Sequence, residues 1–130
     1  MSTAAEQLAP EDVPQYTISE VAARTGLTAH TLRWYERIGL MRHPARSHTG
    51  QRRFSDRDLG WLDFIGKLRA TGMSVADMLR YAELVREGEH TREERRQLLV
   101  DHRAEVLQRI HDLQANLLVI DCKIDLYAKG

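Results

Sequence analysis

The feature that most constrains the fold is a repeated pattern that starts helices. At four places a serine or threonine is followed three residues later by an acidic residue, just before a stretch with helical spacing: Thr17/Glu20, Ser55/Asp58, Ser74/Asp77 and Thr91/Glu94. The two side chains of such a pair bind the free amides at a helix start. Thr28, after a turn at Gly26, is predicted to cap a fifth helix. The chain is therefore predicted to be mainly α-helical.

The predicted helices cover residues 18–24, 28–38, 56–70, 75–86 and 92–119, followed by a short helical tail over 120–127. Glycines that favour helix ends lie just beyond four of these stretches: Gly26, Gly39, Gly72 and Gly88. Residues 1–15 lack periodicity and are expected to form a disordered tail. A chain of 130 residues suits one small domain and an extension, which we place at 16–88 and 91–127.

Charge is segregated along the chain, although 19 basic and 19 acidic residues balance overall. Between Arg33 and Arg57 there are seven arginines and two acids, and the segment from Met41 to Arg53 has no acid at all. Fields between exposed charges are screened beyond about 10 Å, so a local surplus is what matters for phosphate binding. The segment is a candidate surface for nucleic acid.

The first two predicted helices are short and separated by Thr25, Gly26 and Leu27. This spacing fits a helix-turn-helix with a small core of Val21, Ala22, Leu27 and Leu32. An ordinary helical hairpin would have the same spacing, so the helices alone leave both interpretations open.

The segment after the second helix favours DNA binding. Leu40-Met41 and Arg53-Phe54 are predicted to pair as short strands, with a turn at His48-Thr49-Gly50 and Pro44 at an edge. Such a hairpin would be a wing carrying Arg42, Arg46, Arg52 and Arg53 on an exposed projection. A helix can enter a DNA groove while a cationic loop holds the flanking phosphates. The predicted fold is thus a winged helix-turn-helix, two linking helices and a long C-terminal helix.

Several motifs together resemble the MerR family of transcriptional regulators. They lie at Tyr16–Ala22, Gly26–Thr28, Thr31–Leu40, Gly50–Ser55 with Asp58-Leu59, and Arg69–Ser74, and with the long last helix the match covers about residues 16–127. Trp34 is a departure, because the family usually has a second tyrosine there. Tryptophan keeps the stacking area and one N–H donor but cannot accept a hydrogen bond.

The resemblance implies a dimeric regulator that binds an inverted repeat in double-stranded promoter DNA. It would control initiation by bending and untwisting the promoter spacer, so that RNA polymerase holoenzyme can engage the promoter. Such a deformation of the DNA costs several kcal/mol. Position by position, the resemblance assigns DNA contacts to Arg33, Trp34 and Tyr35 and to the wing residue Arg52, with Thr28 and Thr31 near the same helix start. Charge and expected exposure add Arg42, Arg46, His48 and Arg53; for His48 and Arg53 a plain surface role is an equal alternative.

The last helix carries a heptad pattern that predicts self-pairing. Its apolar positions recur at spacings of seven, four, three, four, three and four residues: Leu99, Val106, Ile110, Leu113, Leu117, Ile120 and Ile124. A sustained seam of this kind is typical of a coiled coil between two chains. The alternative is a long helix that packs against its own domain.

The sequence says little about an effector. A resemblance in the segments 61–69 and 121–127 suggests the short branch of the family linked to aldehyde and thiol stress, whose members often have a cysteine where Lys67 stands. Cys122 is the single cysteine, so a soft metal would need ligands from both subunits. His102 and His111 face opposite sides of one helix. Cys122 and Lys67 remain effector candidates beside the simpler hypothesis of ordinary surface residues, and no metal, no cofactor and no C-terminal ligand-binding domain are expected.

Two other classes of protein fit the sequence less well. An enzyme is disfavoured because the sequence has no glycine-rich phosphate loop, metal-ligand cluster or acid–base pair. A protein–protein adaptor would explain the heptad seam but not an arginine wing without acids. One cysteine, no signal-peptide core and no apolar run of about 20 residues favour a cytoplasmic, nucleoid-associated protein without a membrane segment.

Overall fold

A computed structural model describes residues 8–130, and residues 1–7 lie outside the described part. The chain forms two compact units, one up to Glu83 and the other from Leu84 to Gly130. The main elements, in order, are α1 (Ile18–Thr25), α2 (Ala29–Ile38), β1 (Ala45–Arg46), β2 (Arg52–Arg53), α3 (Asp56–Ala70), α4 (Val75–Glu87) and α5 (Arg92–Ala128). Single 3-10 turns lie at Pro10–Asp12 and Glu89–Thr91. The predicted mainly helical fold with a small hairpin and a long last helix is confirmed.

Local side-chain chemistry explains where most helices begin. Complete capping boxes occur at Thr17 with Glu20 and at Ser55 with Asp58. Ser74 Oγ accepts a hydrogen bond from the Asp77 amide at 3.1 Å. The box predicted at Thr91 is wrong, because its hydroxyl instead donates to the carbonyls of Leu84 and Gly88, at 2.6 and 2.8 Å. There the threonine closes the turn before α5 rather than capping the helix.

The turn between α1 and α2 depends on a glycine. Gly26 has φ +75°, a left-handed conformation that residues with a Cβ adopt at a cost, and its amide donates to the Ala22 carbonyl. Of the predicted small core, Val21 and Leu32 are buried, whereas Ala22 and Leu27 are half-buried.

The hairpin pairs at a different place from the one predicted. Ala45 lies opposite Arg53 and Arg46 opposite Arg52 in an antiparallel pair, with the turn at 48–50 as expected. The prediction that Leu40 and Met41 form a strand is wrong. Their amides both donate to the Tyr35 carbonyl and close the end of α2, and both side chains are buried. We call residues 45–53 the wing.

The first unit has a single apolar core beneath α2 and the wing. Trp61 Nε1 donates to the Leu40 carbonyl at 2.9 Å, and the Trp61 ring stacks on Tyr81 with centroids 5.7 Å apart. This core therefore fixes the end of α2 against α3 and α4. Its buried apolar side chains are Val21, Leu32, Tyr35, Leu40, Met41, Phe54, Leu62, Ile65, Leu68, Met73, Met78 and Ala82.

The described residues before α1 contact the rest of the first unit, whereas a disordered tail was expected over residues 1–15. Glu11 and Asp12 accept hydrogen bonds from Arg57, at 2.9 and 2.6 Å. The amides of Gln15 and Tyr16 donate to the Phe54 carbonyl, and Tyr16 forms an isolated bridge with Phe54. Ion pairs and backbone hydrogen bonds thus fix a segment that has no helical periodicity. The rest of the predicted tail, residues 1–7, lies outside the described residues.

In the second unit, α5 runs without interruption to Ala128, so the separate tail helix predicted over 120–127 is instead the end of one helix. A helix of 37 residues is about 55 Å long at ~1.5 Å per residue. Across residues 8–130, no helix combines the length and the apolar character that a membrane crossing requires.

Candidate nucleic-acid interface

The outer face of α2 carries three basic side chains. His30, Arg33 and Arg37 recur at spacings of three and four residues, are exposed, and have no hydrogen-bond or ion-pair partner among the described residues. The opposite face is buried through Leu32, Tyr35 and Glu36. Burial of one face fixes the helix, and the other is free to contact a ligand. Arg33 was predicted from the sequence as a DNA contact, whereas His30 and Arg37 were not. Their spacing from Arg33, three and four residues along the helix, could have identified them.

Thr28, Thr31 and Trp34 lie at the start and edge of this face. Thr28 Oγ1 accepts from the Thr31 amide at 3.0 Å and caps α2, while the two hydroxyls are also 3.0 Å apart. Trp34 is half-buried, with its ring tilted against Tyr35 at a centroid distance of 5.7 Å. The structure therefore brings these predicted residues to the same end or side of α2 as Arg33.

Tyr35 lies in the core rather than on the outer face where we expected it. Its side chain is 1% exposed, and its hydroxyl accepts a hydrogen bond from Arg69 Nη1 at 2.9 Å. The helical spacing explains this, because Tyr35 falls on the same side of α2 as Leu32. A ring buried in this way cannot stack on a nucleotide, so the proposed DNA surface does not include the Tyr35 side chain, which was predicted as a DNA contact.

The wing arginines are hydrogen-bonded within the protein, with Arg46 exposed and Arg52 and Arg53 half-buried. Arg46 Nη1 donates to the Gly50 carbonyl at 2.9 Å, and Arg53 donates to the Arg52 carbonyl and the Gln51 side chain, at 3.0 and 3.3 Å. Arg42, just before the wing, donates to the buried Asp58 carboxylate at 3.0 Å. Arg42 and Arg46 remain 54% and 49% exposed. His48 is exposed in the turn. These contacts orient the cations and leave free donors on each guanidinium.

A buried carboxylate connects α2 with the wing. Glu36 is 9% exposed and accepts a hydrogen bond from Arg52 Nε at 2.7 Å. Its other oxygen lies 2.9 Å from His43 Nδ1 and 4.0 Å from Arg46 Nη2. Burial by itself raises the pKa of Glu36. The hydrogen bonds from His43 and Arg52 lower it by more than burial raises it, so the pKa lies below the usual value for glutamate. We call these four residues the Glu36 cluster. The Glu36 cluster could not be predicted from the sequence, because no spacing links Glu36 to residues 43–52.

The predicted dimerisation residues lie along α5. Leu99 and Val106 are half-buried, whereas Ile110, Leu113, Leu117, Ile120 and Ile124 are exposed. Large apolar side chains therefore line the distal half of α5, and the described part of the same chain leaves them exposed.

The two effector candidates lie in different units. Lys67 Nζ is 3.4 Å from both oxygens of Asp63, on α3, where it borders an open pocket of about 540 Å³ with Arg24 and Leu27. Cys122 is exposed on α5. Among residues 8–130, the His, Cys, Asp and Glu side chains form no group of three that could hold a metal ion.

Comparison with known proteins identifies the family. Residues 16–84 match the model of the MerR HTH family regulatory proteins, and residues 59–121 match the MerR DNA-binding model. An HTH-type transcriptional regulator of Haemophilus influenzae is 38% identical over 88% of this chain and 85% of its own length. The regulator AdhR of Bacillus subtilis is 38% identical over 70% of this chain and 65% of its own.

Solved structures agree with the sequence relatives. HiNmlR, a MerR-family regulator lacking the sensor domain and crystallised on promoter DNA, is 38% identical, with a TM-score of 0.80 over 88% of this chain and 90% of that one. A MerR-family regulator from Bacillus thuringiensis is 35% identical, with a TM-score of 0.74 over 84% and 96%. With its exposed basic helix face and arginine wing, the chain belongs to the MerR family and is a DNA-binding transcriptional regulator.

Proposed function

We propose that the chain acts as a homodimer that binds an inverted repeat in a promoter. In this proposal α2 is the recognition helix and enters the major groove, where Arg33 contacts base edges and His30 and Arg37 contact bases or the backbone. Thr28, Thr31 and Trp34 contact the DNA at the edge of the same helix. The wing holds the flanking phosphates through Arg46, His48, Arg52 and Arg53, and Arg42 does so from the segment just before it.

The observation that carries the proposal is the face formed by His30, Arg33 and Arg37. Most arginines of the first unit donate to a carboxylate or carbonyl of the protein, whereas Arg33 and Arg37 have no such partner among the described residues. Exposed cations aligned on one helix face match the negative charge that a DNA groove presents. The buried opposite face keeps this alignment rigid.

The dimer is supported by the apolar seam of α5. Leu113 is 68% exposed in the single chain, and its seam neighbours Ile110 and Leu117 are also exposed. Contiguous apolar surface of this kind marks an interaction site. Pairing of two α5 helices would cover the seam and place two recognition helices about one DNA turn, ~34 Å, apart.

Control of transcription is proposed to act through the shape of the promoter. The bound dimer bends and untwists the spacer, and RNA polymerase holoenzyme then engages the promoter. A small stress signal regulates this change, with Cys122 and Lys67 as the candidate residues that meet it. HiNmlR, which was crystallised on promoter DNA, supports the DNA-bound state by its similarity over 88% of this chain.

Fluorescence anisotropy tests the proposal. The full chain is titrated onto DNA from its own upstream region and onto a scrambled duplex of equal length, across a salt series. We expect selective binding whose log–log salt slope is near −0.9 per phosphate contact. Arg33→Ala should weaken operator binding by about 1–3 kcal/mol and reduce selectivity, as loss of a base contact does.

Arg103→Ala is the matched control, because Arg103 is an exposed arginine on α5 outside the proposed surface. It removes the same charge and should leave selectivity unchanged. Equal loss of affinity for operator and scrambled DNA in Arg33→Ala would show that Arg33 contacts phosphate alone. Absence of DNA binding even at low salt would contradict the proposal and favour the adaptor hypothesis.

A further inference from the structure

We propose that Glu36 is a positioning residue for operator discrimination: its carboxylate fixes the wing against the recognition helix, so that the two DNA-contacting elements act as one rigid surface. The inference rests on the proposed function, because it assigns a role within that DNA interface. It concerns a residue that carries the same charge sign as DNA and would otherwise be expected to oppose binding.

The geometry places one carboxylate between two elements. Glu36 lies on the last turn of α2, and its side-chain partners belong to the hairpin or to the segment that leads into it. Arg52 on β2 is 2.7 Å away through Nε, and Arg46 on β1 lies within 4.0 Å. Both strands of the wing, together with His43 before it, are therefore attached to a single point of α2.

The register of the hairpin gives an independent reason for an acid at this point. Arg46 and Arg52 are directly opposite each other in the antiparallel pair. Like charges at opposed positions destabilise a two-stranded sheet, and a ribbon of two residues per strand has little other stabilisation. Glu36 lies within ion-pair distance of both guanidinium groups. Its charge offsets their repulsion and holds the hairpin closed.

Burial makes the attachment strong. Glu36 is 9% exposed and the Arg52 side chain 26%, so their ion pair is screened little by solvent. Removing one partner of a buried ion pair leaves the other charge buried without a counter-charge. The resulting loss of stability is larger than the net stabilisation that the intact pair provides. Without Glu36, the Arg52 side chain would leave its site and the wing would lose its fixed angle to α2.

The electrostatic and positioning roles predict opposite effects of Glu36→Gln. Removing a negative charge beside DNA should raise affinity for any duplex. Loss of positioning should instead lower affinity for operator DNA by about tenfold, the effect of one charge-assisted hydrogen bond, while affinity for scrambled DNA stays equal or rises. The ratio of the two affinities is therefore the quantity to measure, with anisotropy on both duplexes over a salt series.

The matched control is Asp63→Asn, which removes an exposed acid of the same unit whose partner is Lys67. It should leave the ratio unchanged. The double variant Glu36→Gln, Arg52→Gln should lose less free energy of operator binding than the sum of the losses in the two single variants. Both changes break the same contact, so their effects overlap. Additive losses, or an equal rise on both duplexes, would overturn the inference. So would an equal fall accompanied by a lower melting temperature, which would show a merely structural role.

Trypsin provides a readout that does not depend on DNA. The wing contains three arginyl bonds, after Arg46, Arg52 and Arg53, and cleavage of a locally opened segment follows the population of the open form. Wing cleavage should accelerate several-fold in Glu36→Gln, while cleavage after Arg103 on α5 stays constant. Unchanged wing cleavage would overturn the inference. A wild-type chain without DNA selectivity would refute the proposed function and the discrimination role, and the trypsin assay would still decide whether Glu36 holds the wing.

Discussion

The side chains of four consecutive residues of α2, Arg33 to Glu36, face two different sides of the helix. Arg33 faces solvent without a partner among the described residues, and Trp34 lies half-buried at the edge. Tyr35 and Glu36 turn inward, where Arg69 and Arg52 bind their polar atoms. A helix rotates by about 100° per residue, so neighbours in such a motif necessarily serve different surfaces. Polarity alone does not identify a DNA contact in this segment.

Tyr35→Phe tests the inward role of the tyrosine. The change removes a hydroxyl that accepts from Arg69 and leaves the ring packed, so we expect a loss of about 1 kcal/mol in unfolding free energy. Operator affinity should stay within about twofold, because the side chain is 1% exposed. Chemical denaturation and anisotropy measure the two quantities. A large loss of operator affinity at unchanged stability would instead assign a DNA contact to the hydroxyl.

The low pKa of Glu36 predicts an acid-sensitive contribution to stability. Because the folded-state pKa lies below that of the unfolded chain, the ionised carboxylate stabilises the fold above the unfolded value, about 4.3. That contribution is lost as pH falls through the folded-state pKa. Unfolding free energies of the wild type and Glu36→Gln should therefore differ at pH 7 and converge towards pH 3. A constant difference over this range would contradict the prediction.

At the scale of elements, helices could be predicted and strands could not be placed. Thr17, Ser55 and Ser74 act on amides three residues away, and such local chemistry is visible in the sequence. The wing depends on contacts between distant residues, including the Tyr16–Phe54 bridge. Leu40 and Met41 were predicted as strand residues, but their amides donate to the Tyr35 carbonyl and close the end of α2. Short strands have too little periodicity to fix a register.

Two glycine substitutions should have effects of opposite sign. Gly26→Ala places a Cβ on left-handed backbone at the turn between α1 and α2, and should cost about 1–2 kcal/mol. Gly60→Ala lies within α3 with open space around the added Cβ, and should stabilise by about 0.5–1 kcal/mol. Thermal unfolding of both variants measures the difference. Equal effects would show that the conformation of Gly26 costs nothing.

At the scale of the whole molecule, the arginine-rich segment and the exposed apolar seam lie in different units. The chain has no net charge, but between Arg33 and Arg57 seven arginines stand against two acids. The heptad pattern predicts a seam for self-pairing, and its members from Ile110 to Ile124 are exposed in the single chain. The Glu36 cluster could not be predicted, because it depends on the folded proximity of α2 and the wing.

Leu113→Asp tests the proposed pairing of α5. A carboxylate in the middle of an apolar seam must be desolvated on pairing, so we expect the chain to become monomeric. Operator affinity should then fall by about a hundredfold or more, since two half-sites are no longer bound together. Sedimentation and anisotropy measure these changes.

The control for this variant is Ala115→Asp, which introduces the same charge on the opposite side of α5. Ala115 is exposed and lies two residues beyond Leu113. It should leave the association state and operator affinity unchanged. A Leu113→Asp chain that still sediments as a dimer would contradict the coiled-coil proposal.

The free outer face of α2 has a consequence for how such a protein changes over generations. His30, Arg33 and Arg37 have no partner among the described residues, so exchanging one of them disturbs no internal contact. Exposed substitutions of this kind usually alter stability by less than about 0.5 kcal/mol. Under the proposed function, duplicated copies of the gene would diverge at these three codons and acquire new target promoters, while they keep the contact between Glu36 and the wing.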